Sequence, residues 1–275
     1  MKKILLSFGT FCCIFIGHNI SYSLEKIEQT ARNNLEREAE ILYQNQEYDR
    51  AISQLKNAIA QYQKFGDIIG EINARRNLAL VYQKTNDLQA GKQAIATNLE
   101  RIESLEDNRL KSELIAASLE VLAEINLKTG NSEAAIAANE QIVKVYQQLG
   151  DKQRENQSKI NLAISLSSLG LYDRAKNNLL TIKQDLADQP EEIQIANLLE
   201  LGIIFTKIGN LIEAERALQE SLQLAKLEKN PEKIAQILLS LGDLNRVKKN
   251  ERDALNYYQE ALTLSRDPEL LVNAR

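Results

Sequence analysis

The sequence predicts an all-α protein in which pairs of antiparallel helices stack into a right-handed superhelical solenoid. Two observations support this fold class. The chain has 275 residues, of which 44% are hydrophobic, and only three prolines and eleven glycines interrupt it. Helix is therefore the expected local structure, and the chain is long enough to bury a large core. Small residues also recur at a fixed spacing, which is typical of a repeat protein.

The repeat is defined by six pairs of small residues, and the two members of each pair lie twelve residues apart. Successive copies start about 40 residues apart. Two antiparallel helices can approach closely where small side chains meet, so each pair predicts one helix–turn–helix unit. The pairs are Ala39 and Ala51, Ala79 and Gly91, Ala123 and Ala135, Ala163 and Ala175, Gly202 and Ala214, and Gly242 and Ala254.

Turn and capping residues mark the ends of the predicted helices. Gly130, Gly170 and Gly209 lie between the paired small residues, where glycine lets the chain leave the first helix. Between copies, Asn230 and Pro231 are a typical cap and first residue of a new helix.

The pattern of small residues, the leucine that precedes the first of them in five copies, and the aromatic residues Tyr82 and Phe205 resemble the tetratricopeptide repeat (TPR). The resemblance covers roughly residues 32–266 and implies about six repeats. Their period is nearer 40 residues than 34, so longer helices are expected. Asn139 stands where a large apolar residue is expected, which leaves the packing of the third copy open.

Phrases such as SLGLYDRAKNNLLTIKQDL (168–186) further resemble the N-terminal half of bacterial TPR–CHAT proteins. In that family the repeats precede a caspase-like CHAT domain with a Cys/His dyad. No catalytic residue can be carried over to this chain, because Cys12, Cys13 and His18 are its only cysteines and histidine and lie near the N-terminus.

The N-terminus has the three parts of a secretory signal peptide. Lys2 and Lys3 precede an apolar run at 4–17, and Ser21 and Ser23 are small residues suited to cleavage. We therefore expect residues 1–23 to be removed and the protein to be exported to the periplasm or the extracellular space. An uncleaved anchor or a misassigned start codon is the alternative. The mature chain would contain no Cys or His, so no disulfide and no Cys/His metal site is predicted.

The predicted solenoid covers residues 24–266, and residues 267–275 read as the start of a truncated seventh repeat. The tetrapeptide VNAR (272–275) nearly repeats INAR (72–75), which lies in a first helix. Because a solenoid needs a polar cap, an uncapped C-terminal end could pair with a second copy in a homodimer. The alternative is that this half-helix covers the sixth repeat.

Composition and motifs disfavour chemistry on this chain. The net charge is –4, which argues against binding to a nucleic-acid backbone. No phosphate-binding G-x-x-x-x-G-K-[ST] loop and no G-x-S-x-G nucleophile motif occurs. We therefore predict no catalytic, cofactor-binding or metal-binding residue.

The predicted functional surface is the concave groove that the first helices line, with a more polar N-terminal half and a more apolar C-terminal half. The favoured hypothesis is a non-catalytic scaffold that binds a peptide or partner protein there. A second is the separated regulatory half of a CHAT-type protease, and a third, disfavoured by the missing Cys and His, is an enzyme. The predicted groove residues are Asn73, Arg76, Asn77, Lys84, Ile160, Asn161, Ile164, Leu199, Ile203, Asp243 and Arg246.

Overall fold

The computed structural model describes residues 24–106, 109–183 and 186–264. The predicted signal peptide and the predicted seventh repeat lie outside these ranges. A short 3-10 helix at Leu186–Asp188 precedes the ninth α-helix, and none of the described helices is long and apolar enough to cross a membrane. The α-helices are α1 (Leu24–Gln44), α2 (Tyr48–Phe65), α3 (Ile68–Lys84), α4 (Leu88–Glu103), α5 (Arg109–Lys128), α6 (Ser132–Leu149), α7 (Lys152–Ser168), α8 (Tyr172–Lys183), α9 (Glu191–Lys207), α10 (Leu211–Glu228), α11 (Pro231–Val247) and α12 (Glu251–Leu264).

The helices form six antiparallel pairs, and the predicted all-α solenoid of six repeats is confirmed. Every odd-numbered helix packs against the even-numbered helix that follows it. All twelve of the paired small residues are buried, and each lies in the helix that the repeat alignment assigned to it. At Gly202 a side chain would not fit, because an added Cβ would lie 2.5 Å from Cγ of Leu218 in the partner helix. Small residues thus set the close approach of the paired helices.

All six turns within the repeats have one backbone geometry. Each contains three residues, and the second of them has a positive φ. Gly130, Gly170 and Gly209 hold this position in three turns, with φ between 73° and 78°, as predicted. In the other three turns Gln46, Asn86 and Lys249 adopt φ of 64°, 60° and 62°. These residues accept the left-handed conformation that glycine adopts at no steric cost.

The third repeat is packed without the large residue that the pattern leads one to expect. Asn139 is 2% exposed, and its Nδ2 donates a hydrogen bond of 2.9 Å to Oγ of Ser165 in α7. A polar link to the next repeat therefore takes the place of an apolar contact there. The amide satisfies its donor inside the protein, which offsets the cost of burying it.

The stacking of the repeats shows which helices form the inner layer. First helices of neighbouring repeats pack against each other, with contacts of α3 with α5, α7 with α9 and α9 with α11. Within the described residues, no two second helices of neighbouring repeats pack to this extent. At these three of the five junctions between repeats the first helices are closer together than the second helices, as expected of a solenoid that curves towards its first helices. Their free surface is the concave side.

Candidate functional site: the inner face of the first helices

Each first helix has a stripe of accessible residues that recur every three or four positions, the spacing of one helix face. We call the six stripes together the inner face. Its residues are Glu36, Glu40 and Tyr43 on α1; Asn73, Arg76, Leu80 and Lys84 on α3; Ala117, Glu120, Glu124 and Leu127 on α5; Gln157, Asn161 and Ile164 on α7; Ala196, Leu199, Glu200 and Ile203 on α9; and Gln236, Leu239, Ser240, Asp243 and Arg246 on α11.

One position of the repeat, three residues before the first small residue, divides the inner face into two halves. In the first three repeats this position holds Glu36, Arg76 and Glu120, so charges of opposite sign alternate along the solenoid. Burial raises the pKa values of both carboxylates, and the positive charge of Arg76 opposes part of that rise. In the fourth repeat the same position holds Ile160, which is buried in the core. In the last two repeats it holds Leu199 and Leu239, which with Ile164 and Ile203 make the C-terminal half the more apolar one.

The two carboxylates beside Arg76 are partly withdrawn from water. Burial raises the pKa of Glu36 and the pKa of Glu120 above their ordinary value. A tyrosine hydroxyl on the second helix of the same repeat donates a hydrogen bond to each, from Tyr62 to Glu36 and from Tyr146 to Glu120. These bonds lower the two pKa values but do not cancel the effect of burial. The N-terminal half therefore offers carboxylates that are fixed in position.

A second group of polar residues lies next to this row, on α1, α3 and α5. Nε2 of Gln83 donates a hydrogen bond of 2.9 Å to Glu124. Burial, together with the charges of Tyr48 and Glu124, raises the pKa of Tyr43 to about 12, so its hydroxyl stays protonated. The side chains here can donate and accept hydrogen bonds across neighbouring repeats.

The C-terminal half contains a carboxylate, that of Glu200, for which the described residues provide no counterion. Glu200 lies on the stripe of α9 between Leu199 and Ile203, and burial alone raises its pKa to about 7. Within the described residues no hydrogen bond or ion pair is made by its side chain. Near neutral pH this carboxyl group therefore exchanges between the neutral and the charged form.

Most of the predicted groove residues lie on the inner face, and two do not. Ile160 is 1% exposed and belongs to a core cluster with Leu201 and Ile204, so its predicted place in the groove is wrong. Asn77 is also buried, and its Nδ2 donates a hydrogen bond to Glu36 instead of facing solvent. The predicted residues that lie on the inner face are Asn73, Arg76, Lys84, Asn161, Ile164, Leu199, Ile203, Asp243 and Arg246.

Sequence reasoning missed three residues of the inner face with perturbed carboxyl groups: Glu36, Glu120 and Glu200. The first two occupy the repeat position of Arg76, so extending the alignment to the first and third copies would have found them. Glu200 is one residue further along, where the other copies have Arg, Asn, Val, Asn or Ser. A single acidic residue in an apolar stretch was the available signal.

The C-terminal end of the inner face carries a hydrogen-bonded cluster on α11 and α12. At the C-terminal end Asp243 accepts hydrogen bonds from Tyr258 (2.8 Å) and Arg246 (3.2 Å), an exposed cluster. Among the described residues no group of three or more His, Cys, Asp or Glu side chains could hold a metal ion. The arrangement consists of carboxylates, amides and aliphatic side chains over six repeats, which suits an elongated ligand.

Comparison with known proteins identifies the repeat. A protein-family model described as "Tetratricopeptide repeat" matches residues 194–267. None of the curated protein sequences compared with the chain matches it.

Several solved structures have the same fold. A Rap protein in complex with competence and sporulation factor has a TM-score of 0.72 at 13% identity and covers 94% of this chain and 71% of its own. NprR in complex with its cognate peptide NprX has a TM-score of 0.64 at 13% identity, with 92% and 71% covered. PilW, a type IV pilus biogenesis factor, has a TM-score of 0.61 at 16% identity, with 88% and 97% covered. At these identities the likeness concerns the fold alone.

Proposed function

We propose that this chain, a tetratricopeptide-repeat protein, is a non-catalytic scaffold that binds an extended or helical peptide segment of a partner protein along its inner face. The observation that carries this proposal is the continuity of the accessible stripe from α1 to α11. Two structures of similar fold contain a bound factor or peptide by their descriptions, the Rap complex and the NprR complex, which supports the same kind of use here.

The two halves of the inner face suit different parts of a peptide. Asn73 and Asn161 carry amide groups that can pair with the backbone of a peptide. Ile164, Leu199 and Ile203 are half-buried and can receive apolar side chains, whose burial favours binding. Binding along several repeats would add many weak contacts over a large area, as expected of a solenoid.

We also propose that the protein is exported and acts in the periplasm or outside the cell after cleavage near Ser23. The basic start, the apolar run and the small residues before the cleavage point support this proposal. The N-terminal mass of the protein from a periplasmic fraction of a bacterial host tests it. A chain that begins at Leu24 is expected, and a cytoplasmic chain that begins at Met1 would overturn it.

The experiment for the groove is selection of a random dodecapeptide display library on the full chain, followed by calorimetry with synthetic peptides. Ile203→Lys introduces a charge into the apolar half of the inner face and should weaken binding by about tenfold or more. Ile212→Lys is the matched control, because Ile212 is 81% exposed on α10 of the same repeat, away from the inner face. If no peptide is enriched, or if both variants bind equally, the proposal fails.

A second candidate function rests on the last helix. Leu262 is 38% exposed on α12, whereas Leu222, the corresponding residue of the preceding repeat, is 7% exposed and packs in a core cluster with residues of α11. Among the described residues no helix covers this side of α12, which could dock a second copy of the chain or a CHAT-type catalytic partner. Light scattering on wild type and on Leu262→Lys tests whether a second copy docks there. We expect wild type to be a dimer and Leu262→Lys to be a monomer.

A further inference from the structure

Glu200 is half-buried and differs from the two buried glutamates of the described residues, Glu71 and Glu155, because the chain provides those two with cations. Glu71 accepts hydrogen bonds from Arg75 and Arg101, and Glu155 pairs with Lys152 and Lys159. Although burial raises the pKa of both, these contacts outweigh it and hold each pKa below its ordinary value. Glu200 has no such partner within the described residues.

Glu200 lies among apolar residues of the stripe on α9, and the stripe of each neighbouring first helix also contains an apolar residue. Leu199 and Ile203 flank it on α9, and the stripes of the neighbouring helices α7 and α11 carry Ile164 and Leu239. All four are half-buried, so each retains apolar surface that a ligand can cover. A carboxylate in such a place is costly when charged, unless an opposite charge joins it.

We infer that the bound peptide brings a positively charged group onto Glu200 and lays apolar side chains on Leu199 and Ile203. This inference rests on the proposed function and names the chemistry of the ligand. The cation is a Lys or Arg side chain or the amino terminus of the peptide, all of which pair with a carboxylate in the same way.

Charge complementarity favours a cationic peptide over a neutral or acidic one. A neutral peptide would cover Glu200 and remove its remaining water without a counterion, which disfavours binding. The N-terminal half of the inner face is also acidic, because α1 and α5 carry Glu36, Glu40, Glu120 and Glu124. Against these four carboxylates α3 carries Arg76 and Lys84, so an elongated ligand would meet a net negative charge in this half as well as at Glu200.

The test repeats the dodecapeptide selection on wild type, on Glu200→Gln and on Glu220→Gln. Glu220 is an exposed residue of α10 in the same repeat, so Glu220→Gln is a matched control that removes the same charge away from the inner face. Wild type and the control should enrich peptides with a Lys or Arg next to apolar residues. Glu200→Gln should lose this preference and bind the peptides selected on wild type about tenfold more weakly or worse.

A double-mutant cycle then measures the interaction between Glu200 and the basic residue of the peptide. Replacing the basic residue of a selected peptide by norleucine should weaken its binding to wild type and leave its binding to Glu200→Gln unchanged. A peptide acetylated at its amino terminus distinguishes the two sources of positive charge. Its binding is weakened only if the amino terminus is the cation that pairs with Glu200.

The outcomes separate this inference from the proposed function. Suppose that the selected peptides bind Ile203→Lys more weakly than wild type, but show no preference for a cation and bind Glu200→Gln as well as wild type. This result would overturn the inference about Glu200 and leave the proposed binding groove intact. The absence of any enriched peptide would overturn both.

Discussion

The hydroxyl group of Tyr146 on α6 donates a hydrogen bond of 3.2 Å to the carboxylate of Glu120 on α5. Two repeats earlier Tyr62 on α2 makes the same bond to Glu36 on α1. Each bond joins the second helix of a repeat to the inner stripe of its first helix. These two carboxylates of the inner face are therefore held in position by the outer layer of helices.

This relationship predicts the effect of Tyr146→Phe. The variant should lose about 1–2 kcal/mol of unfolding free energy near pH 7, because a partly buried carboxylate loses its donor. Burial raises the pKa of Glu120 and the hydroxyl opposes that rise. The pKa of Glu120 is thus higher in the folded than in the unfolded protein. The contribution of Glu120 to stability therefore falls as the pH rises from the lower of these two pKa values past the higher one. The deficit of the variant should therefore grow between pH 4 and pH 8.

Urea unfolding followed by circular dichroism at these two pH values measures the deficit. Tyr172→Phe is the control, since the Tyr172 hydroxyl makes no hydrogen bond within the described residues and its ring packs against the core. A Tyr146→Phe deficit that is the same at both pH values would contradict the coupling to Glu120.

The buried glutamate Glu71 predicts the opposite dependence on pH. It is 1% exposed and accepts hydrogen bonds from Gln63 (2.8 Å), Arg75 (2.8 Å) and Arg101 (3.0 Å). Although burial raises its pKa, these bonds outweigh it and the pKa lies below 4.5. The stabilisation by Glu71 is thus complete above the pKa that this group has in the unfolded protein. It is lost as the pH falls through the lower pKa that the group has in the folded protein.

We expect Glu71→Gln to lose about 3 kcal/mol at pH 7, because two guanidinium groups are left without their carboxylate. The loss should shrink below pH 4, where the wild-type carboxylate becomes protonated. Glu100→Gln, an exposed residue of α4, serves as the control and should have almost no effect. Identical urea midpoints for wild type and Glu71→Gln at pH 7 would show that the network does not stabilise the fold.

The shared turn geometry predicts a stabilising substitution. Lys249 is exposed and adopts φ of 62°, a conformation that costs about 1 kcal/mol for a residue with a side chain. Lys249→Gly should therefore raise the unfolding free energy slightly, by up to about 0.5 kcal/mol, after the greater freedom of glycine in the unfolded chain is included. Thermal and urea unfolding measure this gain.

The reciprocal variant Gly130→Ala is the matched test, because Gly130 holds the same turn position in the third repeat with φ of 73°. No atom lies within 4 Å of the Cβ that alanine would add, so any loss of stability comes from the backbone conformation alone. Opposite signs for the two variants are expected. Equal signs would mean that the six turns are not equivalent.

The sequence predicted the helix pairs because their signal is local and repeated. Small residues at twelve positions fix where two helices touch, and turn glycines mark where three of the first helices end. A repeat alignment therefore assigns all twelve helices without knowledge of their stacking. The inner layer also follows, since the repeat unit determines which helix of a pair faces its neighbours.

The side chains of the inner face were harder to predict. Ile160 shares its repeat position with Arg76, yet it turns into the core with Leu201 while Arg76 stays accessible. A long charged side chain reaches water from a position where an isoleucine is covered by its neighbours. The lack of a counterion for Glu200 is also invisible in the sequence, because it depends on three helices that are distant along the chain.

The raised pKa of Glu200 predicts how the free protein responds to pH. Its folded pKa of about 7 lies above the 4.5 of an ordinary glutamate, so the folded state holds this proton more tightly than the unfolded state does. Between these two pH values the free energy of unfolding falls as the pH rises. Above pH 7 the folded protein bears the full cost of a charged Glu200 carboxylate. Because the side chain is partly exposed, we expect a penalty of about 1–3 kcal/mol.

Glu200→Gln removes this penalty and should be more stable than wild type at pH 8, with the difference vanishing near pH 4. Glu220→Gln, which removes an exposed carboxylate from the same repeat, should follow wild type at both pH values. Urea unfolding of the three proteins measures the two differences. A Glu200→Gln variant that is no more stable at pH 8 would mean that water or another group already solvates the carboxylate, and would remove the energetic reason for a cationic ligand.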